Sequence, residues 1–151
     1  MEKIGNNLLG KTVQVSKVQR NVVKRPNKND CWNVALAFAC NLEYETVRNS
    51  FKKRGLIHRG GAVSKWFTRE YLENHGYKQV HLGYKSVRTM ADDTKYTNYE
   101  YVVSVRGHVL YVRYGVVYDT ESDLNRIKAI YRRKISSRRK SKYDFVPKEV
   151  N

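Results

Sequence analysis

The segment Cys31-Trp32-Asn33-Val34-Ala35-Leu36-Ala37-Phe38-Ala39-Cys40 is apolar on nearly every face of a helix. A helix with no polar side has to be wrapped by other elements, so this stretch predicts a buried central helix. Immediately before it, Lys24-Arg25-Pro26-Asn27-Lys28-Asn29-Asp30 carries the Pro, Asn and Asp residues of a loop that ends at a helix N-cap. Cys31 therefore falls in the first turn of the helix that the remaining chain must cover.

Outward from this helix the pattern stays helical and then changes period. Residues 43–54 form an amphipathic helix, with Tyr44, Val47 and Phe51 on one face and Gly55 as its stop. After Gly60-Gly61, Val63, Trp66, Phe67 and Tyr71 line a third helix that ends at Gly76. Val80-His81-Leu82 reads as a short strand, and Ser86 caps a helical turn running through Met90. Residues 99–105, His108–Val112 and Val116–Asp119 are rich in β-branched and aromatic residues and are separated by Arg106-Gly107 and Tyr114-Gly115, so they read as consecutive strands. Residues 127–135 fit either period, with strand preferred. Upstream, Thr12–Val18 alternates as one strand. Helices followed by antiparallel strands give an α+β class. The expected organisation is a basic N-terminal extension over residues 1–26 with that strand in it, a domain over 27–135, and a basic tail over 136–151.

The chain of 151 residues has the length of one domain with one real core, and 40% hydrophobic residues with twelve tyrosines exclude a disordered composition. No apolar run approaches the ~18 residues of a membrane span, and the first residues lack a signal-peptide core, so an intracellular, cytoplasmic protein is expected. Two cysteines are too few for a disulfide scaffold. Cys40 lies nine residues from Cys31, about half a turn round the helix, and reads as packing.

Backbone N–H groups and the helix dipole favour an anion at a helix start, so a thiol at Cys31 is biased toward thiolate, and the same N–H groups suit an oxyanion. His108 opens a strand directly after Gly107, and Asp119 closes the next strand. If Tyr114-Gly115 is a two-residue hairpin loop, Asp119 sits opposite Leu110 and His108 lies diagonally on the same face, with Cβ atoms roughly 7 Å apart. Cys31, His108 and Asp119 would then be nucleophile, base and orienter. The plainer reading, a small core cysteine and a structural strand histidine, stands beside it.

At these residues the chain resembles the papain-like cysteine peptidase superfamily, which carries Cys-Trp at the start of a buried helix, as Cys31-Trp32 does, and a later Gly-His with an Asp or Asn on the following strand. It is most similar to small minimal members found in phages and bacteria. The resemblance covers residues about 27 to 134. It implies helices packed on a C-terminal antiparallel sheet, a Cys31–His108–Asp119 triad, amide or isopeptide cleavage, and, for a phage-encoded chain, the host cytoplasm. Papain-type enzymes place a Gln six residues before the cysteine, where this chain has Arg25, and Asn29 is the candidate oxyanion donor instead. Relatives of that fold also deamidate or transfer acyl groups.

No cofactor or metal is implied, because His58, His75 and His81 have no second ligand at metal-binding spacing. The formal charge of +16 points to an anionic partner, either an acidic protein substrate or nucleic acid. Arg132, Arg133, Lys134, Arg138, Arg139 and Lys140 are the candidate anion-binding residues, with Tyr131 and Tyr143 close by in sequence. A non-catalytic nucleic-acid-binding protein is accordingly the main alternative. The oligomeric state is open.

Overall fold

A computed structural model describes residues 8–15, 18–24, 26, 31–53, 65–119, 126–136 and 141–145. Among these, seven strands and four helices follow in the order β1 (Thr12–Val15), β2 (Val18–Val22), α1 (Cys31–Cys40), α2 (Tyr44–Lys53), α3 (Lys65–Asn74), β3 (Lys78–Val80), α4 (Val87–Asp93), β4 (Tyr99–Val105), β5 (His108–Arg113), β6 (Val116–Asp119) and β7 (Ile127–Lys134). All seven strands form one sheet in the order β1-β2-β6-β5-β4-β7-β3. The α+β class holds, but two expectations about the sheet are corrected. It is mixed, because β2 runs parallel to β6. It is also not confined to the C-terminal half, since the N-terminal hairpin completes one side.

That hairpin replaces the single strand expected over residues 12–18. Val13 and Val15 are two apart but Val18 is three further on, so the two-residue period breaks between them. The two halves fold back on each other with Val15 opposite Val18. Thr12–Val15 and Val18–Val22 therefore join the same sheet as the later strands. Without β2 the short β6 would present an open edge of unpaired backbone groups.

The sheet buries both faces. On one side α1 packs with Val102, Val109, Tyr111, Val116 and Tyr118; on the other α4 covers Val103, Leu110, Val112, Val117 and Ile130. The helix α4 starts at Ser86, whose hydroxyl accepts the Thr89 N–H at 3.2 Å. Eight of the ten residues of α1 are buried, and α2 and α3 pack against its outer side, as a helix without a polar face demands. Ser141–Phe145 also pack here, although the run from residue 136 reads as a solvated tail. Tyr143 is buried against Phe38 with ring centroids 4.8 Å apart, and its hydroxyl donates to the Leu42 carbonyl at 2.6 Å.

The C-terminal end of α1 is held by charge. The Arg133 guanidinium donates to the Ala39 carbonyl at 2.6 Å and the His75 carbonyl at 2.7 Å, and pairs with the buried Glu100. Tyr77 donates a second bond to Ala39, and Tyr111 donates to Glu100. A cation on the last carbonyls of a helix satisfies groups that the helix leaves open. It also pins α1, and through it the position of Cys31 at the other end.

The β5–β6 connection is the two-residue loop Tyr114-Gly115, both residues at positive φ (51° and 79°), as a turn that matches strand twist requires. A Cβ on Gly115 would stand 2.5 Å from Lys95 Cβ, whereas Gly83 has a similar φ and open space around it. Gly115→Ala is therefore expected to destabilise the protein by about 1–3 kcal/mol, and by clearly more than Gly83→Ala. Urea unfolding of the two variants measures the difference.

Candidate active site

Each of the three candidate residues stands at the end of an element. Cys31 is the first residue of α1, His108 the first of β5 and Asp119 the last of β6. Antiparallel β5 and β6 pair Tyr111 with Tyr118 and Val112 with Val117; continued, this register sets Asp119 opposite Leu110 and leaves His108 on the diagonal. The structure brings the two side chains together, with His108 Nε2 hydrogen-bonded to Asp119 Oδ1. Asp119 leaves the other ring nitrogen, Nδ1, unengaged, and Cys31 is near enough to raise the pKa of the ring. Cys31 is partly exposed; Cys40, at the far end of α1, is buried, and neither forms a disulfide.

The faces of the sheet make this meeting less simple than the pairing suggests. Along β5 and β6 alternate side chains enter different cores, Val109 and Tyr118 with α1, Leu110 and Val117 with α4. By that alternation His108 and Asp119 belong to the α4 side, while Cys31 belongs to a helix on the opposite side. Only at a strand end can a ring from one face meet a helix terminus packed on the other. His108 occupies such an end.

Sequence reasoning missed a fourth side chain. Arg20, in the middle of β2 and 2% exposed, places Nη2 2.8 Å from Asp119 Oδ2, whose own side chain has no exposed surface. The parallel β2–β6 register pairs Val22 with Asp119 and Arg20 with Val117, so Arg20 is a diagonal neighbour of Asp119 on the α4 face. The Asp119 carbonyl accepts the Val23 N–H at 2.9 Å, fixing the backbone as well. The available signal was Arg20 standing in phase with Val18 and Val22, at a position where alternation predicts an inward side chain.

Burial works against a charged His108, but hydrogen bonds and the charges of Asp119 and Cys31 outweigh it and raise its pKa to about 9. At neutral pH the ring is therefore an imidazolium, with a proton on each nitrogen. Asn29, the candidate oxyanion donor, and Arg25 lie outside the described residues.

The candidate anion-binding residues separate. Arg133 pairs with Glu100 and donates to the Ala39 and His75 carbonyls. Arg132 points to the other face and stacks over the Tyr99 ring at 4.2 Å, and Lys134 is exposed. Arg138, Arg139 and Lys140 lie outside the described residues. No described helix is long and apolar enough to cross a membrane.

No family model, curated protein or solved structure matches the chain. Its chemistry has to be read from the geometry alone.

A proton bound more tightly in the folded protein than in the unfolded one stabilises the fold wherever the folded state keeps it. His108 has its pKa raised above 6.5, so its contribution is complete below pH 6.5 and is lost as the pH climbs through about 9. The wild type is thus expected to lose on the order of 1–3 kcal/mol between pH 6.5 and 10 relative to His108→Ala. Parallel urea titrations of the two proteins give that difference, and Asp119→Asn should flatten it.

Proposed function

We propose that the chain is a cysteine-dependent hydrolase acting on amide or isopeptide bonds, with the elements of its site arranged as in papain-like enzymes. The observation that carries this reading is His108, bonded through Nε2 to a buried carboxylate and near enough to a helix-start thiol for that thiol to raise its pKa. A histidine so held is poised for proton transfer to and from a nucleophile, which is the division of labour a triad requires.

In the proposed reaction one proton is shared between Cys31 Sγ and the imidazole. The sulfur attacks the substrate carbonyl carbon, and the oxygen takes up negative charge beside the backbone N–H groups of the first turn of α1. The His108 imidazolium gives its proton to the leaving nitrogen as the C–N bond breaks, leaving a thioester on Cys31. Neutral His108 then takes a proton from water, the hydroxide attacks the thioester, and acid and thiol are released. If an amine replaces the water, the same steps give acyl transfer. The positive surface would recruit an acidic protein substrate.

A second reading, nucleic-acid binding without catalysis, draws on the charge of +16 and on Arg132 stacked over Tyr99. One experiment separates the two. Under the hydrolase reading, iodoacetamide alkylates Cys31 at pH 7 in preference to Cys40, and His108→Ala slows this by roughly tenfold or more. Mass spectrometry of the labelled protein gives both rates. Cys31 reacting like a free thiol whether or not His108 is present would sink the hydrolase reading. In an active preparation, new termini in a treated lysate mean cleavage, and a gain of about one dalton on Gln means deamidation.

A further inference from the structure

Asp119 is shared. One carboxylate oxygen accepts from His108 Nε2 and the other from Arg20 Nη2 at 2.8 Å. Neither carboxylate nor guanidinium has appreciable solvent exposure, so water screens the interaction weakly. A carboxylate bound to one imidazolium alone would place its whole charge at the disposal of that ring. With a guanidinium on the far oxygen, the charge is divided between two cations, and Arg20 also repels the proton on His108 through the short path of one carboxylate.

The other groups around His108 do not supply that balance. From α1 it is faced by Cys31, from β6 by Asp119, and from β4 by Val105, its register partner, which carries no charge. Arg106, in the preceding turn, is exposed and therefore screened. Among the described residues Arg20 is the buried cation bonded to Asp119, and its path to the ring runs through that carboxylate.

We propose that Arg20 is a positioning residue that shares the Asp119 carboxylate with His108 and thereby sets how tightly His108 holds its proton. A general acid is most effective when it can release its proton near the working pH. Divided between two cations, the carboxylate orients the ring and holds the imidazolium proton less tightly than it would if bound to His108 alone. The inference rests on the hydrolase reading for its consequence in catalysis, but the coupling from Arg20 to His108 exists whether or not Cys31 is a nucleophile.

The test is an NMR titration of the His108 ring in wild type, Arg20→Gln, Arg20→Lys and Asp119→Asn, with iodoacetamide labelling of Cys31 run beside it. Arg20→Gln keeps a hydrogen-bond donor and removes only the charge, so the His108 midpoint should rise by about one pH unit. Arg20→Lys keeps the charge and should leave the midpoint near its wild-type value. Asp119→Asn should lower it. An unchanged midpoint in Arg20→Gln, or one falling toward that of a free imidazole, overturns the proposal, the first because Arg20 is then only a structural ion pair and the second because it only props up the fold. If Arg20→Gln does not fold, the wild-type protein still decides. The Arg20 Cζ resonance should then titrate with the His108 midpoint and lose that dependence in Asp119→Asn; a flat Cζ resonance refutes the coupling. Loss of fast labelling at Cys31 with the His108 shifts intact would reject the hydrolase reading and leave the Arg20 assignment standing.

Discussion

A carboxylate with no exposed surface has to be satisfied by its neighbours, and Asp119 is satisfied from two strands at once. Arg20 comes from β2 and His108 from β5, on either side of β6. Leaving a buried carboxylate without its cation would cost several kcal/mol, so the ion pair is a condition on the order of strands in the sheet as much as a feature of a site. It explains why the N-terminal hairpin is not an appendage. Its second strand must lie parallel to β6, in the register that brings Arg20 within reach, or the charge at the end of β6 loses its guanidinium. Fold and candidate chemistry depend on one side chain here.

The helix α1 imposes the second condition. It is about 15 Å long, buried through most of its length and held at its C-terminal end. At its C-terminal end Arg133 and Tyr77 fix the Ala39 carbonyl, and the left-handed Asn41 that follows accepts the Lys142 N–H at 2.7 Å, tying in the segment after β7. Wrapped on its outer side by α2, α3 and Tyr143, the rod has little freedom to slide or turn. The sulfur of Cys31 is thus positioned by contacts more than ten ångströms away. Charge that looks like a binding surface in the sequence is used here as internal structure.

Much of this was legible from local pattern. The all-apolar run of Val34–Ala39 required a buried helix, the Tyr114-Gly115 pair required a tight hairpin, and together they were enough to place Cys31 at a helix start and Asp119 on the diagonal from His108. Arg20 was not legible in the same way, because its partner is 99 residues away and the pairing is parallel, with no turn to fix a register. The packing of Tyr143 and Phe145 was hidden by the basic residues around them. Arg133 is a different case. A strand sends consecutive side chains to opposite faces, so Arg132, Arg133 and Lys134 cannot form one basic surface if residues 127–134 are a strand. That separation was implied by the strand assignment itself.

The two faces of the sheet finally bear on why the histidine stands where it does. Asp119 and Arg20 form their ion pair on the α4 side, where the neighbouring Val18, Leu110 and Val117 exclude water. Cys31 starts a helix on the other side. A histidine in the interior of β5 could face one of these groups or the other, since the sheet itself lies between them. Only the terminal position lets one ring bond the carboxylate on one face and approach the sulfur at the edge of the other. The Gly107 before it, at φ 70° and with open space around it, lets the chain turn sharply enough for β5 to begin at that residue. Moving the histidine two residues along the strand would preserve its face and lose the thiol, and moving it by one would lose the carboxylate. The proposed triad therefore depends on the position of a strand end at least as much as on the identity of three side chains.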